Sequence, residues 1–269
     1  MKRVLICIVA ALMAVSCGPR PLVILHLNDT HSHMDPLRDG RAGIIERAAI
    51  IDSVRRAAGP KNVLLLHAGD FSQGTSYFTL MNGDLEVEMV NALGYDCVTL
   101  GNHEFDNGIE DLGRRVANLN CPVVCANYDF SPFEAGQYIK PWTIVKKAGM
   151  KIGIVGILCD VTTVVARETA DRLPRFDTVE ALNRWAAYLK NEQGCDLVIA
   201  LTHVGFADEP GITDVELAPQ TRDVDIFVGG HSHTFLDEVY YATNLDGKQI
   251  PIVQDGCWGY EVGELTVRR

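Results

Sequence analysis

The chain has 269 residues, of which 47% are hydrophobic, and a formal net charge of -11 at pH 7. This length and hydrophobic content fit one α/β domain with a sizeable core and exclude a disordered chain. Because an acidic surface repels polyanions, duplex nucleic acid is excluded as a partner. A small anionic substrate remains compatible with the charge if bound cations attract it.

Residues 1–16 predict a secretory signal peptide. A basic start is followed by the apolar run 4–15, which is too short to span a bilayer as a mature helix. The run ends in AVSC (14–17), which resembles the lipobox of bacterial lipoproteins. The resemblance implies cleavage before Cys17, lipidation of Cys17, and anchoring to a bacterial membrane facing the periplasm or cell surface. The alternative is an ordinary signal peptide with a chance cysteine.

Apolar runs alternate with helical periodicity in the first half of the chain. The pattern predicts strands at 22–27, 63–68, 95–100 and 122–126, and helices at 41–58, 84–93 and 109–119. Such alternation favours parallel strands with helices packed outside them.

The pattern changes after residue 143. Segment 143–158 predicts two strands joined at Ala148-Gly149, and 178–193 predicts a helix capped by Asp177 or Thr178. Buried strands are predicted at 195–201 and 224–230. The chain then predicts consecutive antiparallel strands at 238–243, 249–254 and 262–267, with a turn at Asp246-Gly247. The expected architecture is one domain over 17–269 with two packed sheets and outer helices.

The six cysteines of the mature part are interpreted as buried free thiols, because most lie in apolar runs. Export would permit disulfides, but Cys121 and Cys125 in one strand would lie about 13 Å apart, too far to bond. The absence of a CxxC pair argues against a structural zinc site.

Five polar clusters each follow directly after a predicted buried strand: NDTHSH, HAGD, GNHEFD, THVG and GGHSH. Open α/β sheets place ligand sites at the carboxyl ends of their strands. Each residue singly has an ordinary alternative, such as a turn residue for Asp70 or a helix cap for Asn102. Together, the clusters predict a metal centre with the ligands Asp29, His31, Asp70, Asn102, His203, His231 and His233.

The residue types suggest which ions would bind. Asp29 and His31 are two apart, so in extended chain both would point to one ion. The Asp70 carboxylate has two oxygens and can bridge two ions, which would then lie about 3.5–4 Å apart. Imidazole and carboxylate ligands together favour zinc, manganese, iron, cobalt or nickel over calcium.

The ordered pattern D-x-H, G-D, G-N-H-E, H and G-H-x-H resembles the signature of calcineurin-like metallophosphoesterases. The strings LNDTHSH, GNHEFDNG, LTHVG and GGHSHT resemble the bacterial 5′-nucleotidase branch, over about 22–269. The resemblance implies a four-layer α/β/β/α sandwich with two mixed sheets. It implies one divalent ion held by Asp29, His31, Asp70 and His233, and a second held by Asp70, Asn102, His203 and His231. Family members often have Gln at the position of His233. Either residue can bind a metal ion, so this difference is expected to affect metal preference and not the presence of the site.

The resemblance also implies hydrolysis of phosphate esters by metal-activated water, as in nucleotide catabolism. His103 would contact a phosphoryl oxygen and stabilise charge, and Asp106 would bond the other ring nitrogen. The alternative for His103 is support of a ligand. Glu104 is expected to brace the loop rather than react.

The remaining histidines and the tryptophans have simpler interpretations. His33 is expected to be solvated or to support a ligand. His26 and His67 are expected to be satisfied core residues. The tryptophans are interpreted as packing residues: Trp142, Trp185 and Trp258.

Relatives in the 5′-nucleotidase branch carry a C-terminal nucleotide-binding domain, which is expected to be absent from this sequence. Three functions therefore stay open. The first is a phosphomonoesterase acting on nucleotides or other small phosphates, with a sulfur ester as a variant of this chemistry. The second is the catalytic half of a split 5′-nucleotidase that needs a separate C-terminal-domain protein. The third is a non-catalytic metal-binding scaffold, against which the His103–Asp106 pair argues.

Overall fold

The computed structural model describes residues 20–38 and 40–268, which form two six-stranded β-sheets with helices packed outside them. The predicted signal peptide 1–16 and Cys17 lie outside the described residues. The strands are β1 (Leu22–Leu27), β2 (Val63–His67), β3 (Cys97–Thr99), β4 (Val123–Val124), β5 (Ile139–Lys140), β6 (Trp142–Lys147), β7 (Met150–Leu158), β8 (Leu197–His203), β9 (Ile226–Val228), β10 (Tyr240–Thr243), β11 (Gln249–Val253) and β12 (Gly263–Val267). The α-helices are α1 (Ile44–Ala58), α2 (Ser76–Met81), α3 (Asp84–Leu93), α4 (Gly108–Val116), α5 (Arg167–Ala170), α6 (Thr178–Ala187) and α7 (Asp214–Leu217).

Both sheets are mixed. The first has the order β12-β1-β2-β3-β4-β5, in which only the β12–β1 pair is antiparallel. The second has the order β10-β11-β9-β8-β7-β6, with parallel pairing from β11 to β7 and an antiparallel strand at each edge.

Alternate side chains of each sheet enter different apolar layers, as strand geometry requires. Val23 of β1 packs in one cluster with Ile51 of α1. Its neighbour Ile24 packs in a second cluster with Ile154 of β7, between the two sheets. Leu182 of α6 belongs to a third cluster, with alternate residues of β7 and β8. The three apolar clusters thus separate four layers, in the order helices, first sheet, second sheet and helices. This order confirms the expected four-layer α/β/β/α sandwich.

Most predicted elements are present, with shorter ends. The hairpin of β6 and β7 is confirmed, and its turn residues Ala148 and Gly149 have φ of 50° and 72°, as a type I′ turn requires. Helix α6 is capped by Asp177, whose side chain accepts a hydrogen bond from the Glu180 N–H, and a π-helical turn (Tyr188–Glu192) extends it.

The three strands predicted at the C-terminus are present and each has an antiparallel partner, but they do not all lie in one sheet. Strands β10 and β11 form the expected hairpin, but β12 leaves this sheet and pairs with β1 in the other one. Alternating hydrophobicity marks a strand and its buried face, but it does not identify the neighbouring strand.

The six cysteines among the described residues are free thiols, and all except the half-buried Cys121 are buried, as predicted. Across the described ranges, no helix combines the length and the apolar character needed to cross a bilayer.

Candidate metal centre

The five polar loops converge at one edge of the sandwich. They leave the carboxyl ends of β1, β2 and β3, which are parallel neighbours in the first sheet, and of β8 and β9, parallel neighbours in the second. Hydrogen bonds join the loops of the two sheets there. The His203 Nδ1 atom lies 2.7 Å from the Ala68 carbonyl, and the His231 N–H donates to Asp29 Oδ2 at 2.8 Å.

One group of candidate ligands consists of Asp29, His31 and His233, whose ligand atoms lie within 4.8 Å of one another. The Nε2 atoms of His31 and His233 are 2.9 Å apart. Asp29 Oδ1 lies 3.4 Å from His233 Nε2 and 3.8 Å from His31 Nε2. This carboxylate oxygen is buried without a hydrogen-bond partner, so three donor atoms surround one point.

A second group consists of Asp70, His203 and His231, again within 4.8 Å of one another. Asp70 Oδ2 lies 3.1 Å from His203 Nε2 and 3.9 Å from His31 Nε2, which belongs to the first group. Asp70 therefore faces both groups, as a shared carboxylate must. His203 Nε2 is buried without a hydrogen-bond partner.

Asn102 lies beside the second group, at the start of a 3₁₀ turn (Asn102–Phe105) after β3. Its side chain is buried, and its Oδ1 lies 4.0 Å from the Cys159 thiol. The N–H of the next residue, His103, donates to Asp70 Oδ1 at 2.8 Å. The turn thus ties Asn102 to the shared carboxylate.

The extended geometry expected for the D-x-H pair is wrong. Left-handed backbone, with φ between 46° and 88°, is shared by five candidate ligands: Asp29, His31, Asp70, His231 and His233. Each such residue costs about 1–2 kcal/mol, and a cluster of them is typical of functional loops. The two histidines of the G-H-x-H motif lie in different groups: His233 belongs to the first group and His231 to the second.

Two imidazoles are fixed in a metal-binding orientation. His203 Nδ1 faces the Ala68 carbonyl at 2.7 Å, and His31 Nδ1 faces the Gln73 carbonyl at 3.2 Å. Because a carbonyl only accepts, each Nδ1 carries the proton. When the ring is neutral, each Nε2 directs a lone pair into the centre, which is the arrangement found in histidines that ligate metals.

The charges of the centre shift its pKa values in opposite directions. Burial lowers the pKa of His203, but the Asp70 and Asp29 carboxylates outweigh it and raise this pKa to about 10. The adjacent side chains of Asp29 and Cys257 raise the pKa of His233 to about 10. Burial, with the neighbouring His203, lowers the pKa of His231 to about 4. The carboxylates therefore favour the protonated forms of His203 and His233, at positions where metal cations would bind.

Close backbone approaches hold the Asp70 loop. Gly69 has φ of 87°, and a Cβ there would lie 2.6 Å from the Gly101 nitrogen. Glu104 accepts hydrogen bonds from the N–H groups of Asp70 at 2.8 Å, Ser72 at 3.0 Å and Gly101 at 2.6 Å. The expected bracing role of Glu104 is confirmed by these bonds.

His103 and Asp106 form a pair at the open side of the centre. The Nδ1 atom of His103 lies 2.9 Å from Asp106 Oδ2, and the His103 side chain is 32% exposed. This hydrogen bond raises the pKa of His103 against the effect of burial. The His103 ring lies 5.2 Å from the His31 ring, and its ligand atom also lies within 4.8 Å of those of His31 and Asp70.

The comparisons with known proteins decide the family. The model of the calcineurin-like phosphoesterase family matches residues 22–235. The chain belongs to this family.

Relatives of this calcineurin-like phosphoesterase include a snake venom 5′-nucleotidase from Gloydius brevicauda, 34% identical over 96% of this chain and 47% of the relative. A probable 5′-nucleotidase of Treponema pallidum is 34% identical over 93% of this chain and 45% of the relative. The crystal structure of a 5′-nucleotidase precursor from Thermus thermophilus superposes with a TM-score of 0.82 at 31% identity, covering 92% of this chain and 51% of that one. The chain thus spans about half the length of the curated relatives it matches.

The family depends on a dinuclear metal centre, and the residues present fit one. Asp29 Oδ1 and His203 Nε2 are buried, unpartnered and directed at the two groups, so each has a place for a cation to bind. Mixed imidazole, carboxylate and amide donors suit zinc, manganese, iron, cobalt or nickel.

Several residues differ from their sequence interpretation. His26 and His67 are buried, but the Nδ1 atom of each lacks a hydrogen-bond partner, so they are not fully satisfied. Burial lowers their pKa values to about 4 and about 3, which keeps both rings neutral. Trp142 and Trp185 pack together as expected, whereas Trp258 is 37% exposed beside the centre.

Glu86 is a buried residue near the centre that the sequence pattern does not single out. It accepts a hydrogen bond from the hydroxyl of Ser32, in the loop after β1 that carries Asp29 and His31. Its position on the amphipathic helix α3 carries no signal that could have distinguished it from a surface glutamate.

Proposed function

We propose that the chain hydrolyses phosphate monoesters with two divalent metal ions, and that 5′-nucleotides are among its substrates. The observation that carries the proposal is the position of Asp70, whose carboxylate faces both ligand groups. The names of the relatives, which include 5′-nucleotidases from animals and bacteria, favour a nucleotide as the organic part of the ester.

Each ion has its own set of ligands in this proposal, with Asp70 common to both. Asp29, His31 and His233 complete one set, and Asn102, His203 and His231 complete the other. When bound, the ions lower the pKa of water and neutralise the phosphoryl oxygens. Zinc, manganese, cobalt, iron and nickel all match these donors.

His103 and Asp106 act on the substrate. The Asp106 carboxylate accepts from His103 Nδ1, which holds a proton on that nitrogen and fixes the plane of the ring. The partly exposed Nε2 edge is left to contact a phosphoryl or leaving-group oxygen, where a hydrogen bond stabilises charge that develops during the reaction. A scaffold protein without turnover would gain nothing from this pair.

Phosphate release tests the proposal. The mature chain, loaded with manganese, cobalt or zinc, is expected to release phosphate from AMP and from p-nitrophenyl phosphate, and EDTA should abolish the release. The absence of hydrolysis of any phosphoester by fully loaded protein would contradict it.

A separate nucleotide-binding chain stays a prediction from the sequence. Release of phosphate from AMP only after addition of such a C-terminal-domain protein would support the split-enzyme alternative. Activity of the chain by itself would contradict that alternative.

The lipid anchor and the exported location are also proposals that rest on the AVSC sequence. Cys17→Ser is expected to move the protein from the membrane fraction to the soluble fraction of the producing bacterium. An unchanged distribution would contradict the anchor.

A further inference from the structure

A set of partly exposed rings lies beside the metal centre, and none of them has a role in the reaction proposed above. This aromatic rim consists of His33, Phe235, Trp258 and Tyr260. The His33 and Trp258 rings stack at 5.0 Å with an interplanar angle of 20°. The Tyr260 ring lies 6.1 Å from that of Trp258 and 6.2 Å from that of Phe235. Trp258 is 37% exposed and Phe235 is 46% exposed, so the rim offers apolar surface to solvent.

Hydrogen bonds to the backbone carbonyls of two candidate ligands hold the rim in place. The Trp258 N–H donates to the carbonyl of Asp29 at 2.7 Å. The His33 Nδ1 atom lies 2.9 Å from the carbonyl of His31, to which it donates. These two bonds hold His33 and Trp258 next to the first ligand group.

Packing alone does not account for Trp258. Its φ of 59° places a bulky residue in the left-handed region, which L side chains rarely adopt. The loop thus holds the ring at the surface in an unfavourable backbone conformation. By contrast, Trp142 of β6 and Trp185 of α6 pack on each other and on Tyr188, which follows α6.

We propose that the aromatic rim is the stacking surface for the base of a nucleoside 5′-monophosphate whose phosphate lies at the metal centre. This inference rests on the proposed function and names the part of the substrate that the catalytic domain itself recognises. Every nucleobase presents a π-face, so stacking on exposed rings favours nucleotides without selecting one base. The Arg41 guanidinium lies 5.5 Å from the Tyr260 ring centroid and adds a cation to the rim of an acidic protein.

The test compares AMP with ribose 5-phosphate, which carries the same 5′-phosphate but no base. In Trp258→Ala the ratio of kcat/KM for AMP to that for ribose 5-phosphate should fall about tenfold, the usual size of one stacking contact. Taking the ratio cancels any general damage to the metal centre. Trp258→Phe should retain most of the ratio, and Tyr241→Ala, at a residue 53% exposed on edge strand β10, should leave it unchanged. An unchanged ratio in Trp258→Ala overturns the proposal.

A binding measurement separates this proposal from the proposed function. Adenosine, which has no phosphate, should quench tryptophan fluorescence of the metal-free full chain, and Trp258→Ala should lose that quenching. If no ester is hydrolysed, the proposed function fails while the quenching still tests the rim. Quenching of equal size in Trp258→Ala overturns the rim even if AMP is a good substrate.

Discussion

The Nε2 atoms of His31 and His233 lie 2.9 Å apart, although 202 positions separate the two residues in the chain. His31 keeps its proton on Nδ1, against the Gln73 carbonyl, so its Nε2 directs a lone pair at His233. His233, whose pKa is raised to about 10, carries the proton between them. A proton thus occupies the position at which a metal cation is proposed to bind.

Metal binding is therefore expected to release protons. His203 and His233 both have pKa values raised to about 10, so both are protonated at pH 7 in the metal-free centre. Because a ligating imidazole must be neutral, loading should release about two protons per chain. Calorimetric titrations in buffers of different ionisation enthalpy give this number. His233→Ala should lower it by about one, and a heat of binding that does not depend on the buffer would contradict the exchange.

Removal of the His103 imidazole should separate catalysis from metal binding. His103→Ala is expected to lower kcat by about 10²–10⁴-fold, the usual contribution of a positioned proton donor or acceptor. Metal content should stay near two ions per chain, measured by atomic absorption. Asp106→Asn should lower kcat in the same direction, because the amide does not hold the ring in the same tautomer. Loss of one ion in His103→Ala would show that His103 is itself a ligand.

The positions of the candidate ligands follow from the sequence because each one comes just after an apolar strand. That pattern depends on local hydrophobicity and on the rule that strand ends meet at one edge. The left-handed backbone of Asp29 and His31 could not be predicted in this way, since it is imposed by hydrogen bonds to the loop after β2. The same holds for Trp258, whose N–H donates to the carbonyl of Asp29, a residue far away in the sequence. The sequence predicted the chemistry of the centre better than its shape.

Glu104 should contribute strongly to stability. It is fully buried and accepts from three backbone N–H groups, those of Asp70, Ser72 and Gly101. In Glu104→Gln an NH₂ group replaces one carboxylate oxygen and faces backbone N–H groups, which are also donors. Each buried N–H group that loses its acceptor destabilises the fold by about 1–3 kcal/mol. The free energy of unfolding in urea should fall by a few kcal/mol. Glu88→Gln, an exposed position on α3, should change it by less than about 0.5 kcal/mol, and an equal effect of both substitutions would contradict the bracing role.

Asp255 should make stability depend on pH. Burial raises its pKa from 3.8 to about 7, so the folded state prefers the neutral carboxyl. Its contribution to stability is complete below pH 3.8 and is lost as the pH rises through about 7. Asp255→Asn should therefore raise the Tm of metal-free protein more at pH 8 than at pH 5. Asp52→Asn, an exposed position on α1, is the control, and a gain for Asp255→Asn that does not change with pH would contradict the shift.

The two ligand groups that share Asp70 are proposed to hold two ions with which the chain hydrolyses phosphate esters. This proposal is tested most directly by measuring phosphate release from AMP by the same protein preparation, first stripped of metal and then titrated with manganese. No release is expected from stripped protein, and activity should reach its maximum at about two ions per chain. Full activity without metal, or no activity at two bound ions per chain, would contradict it.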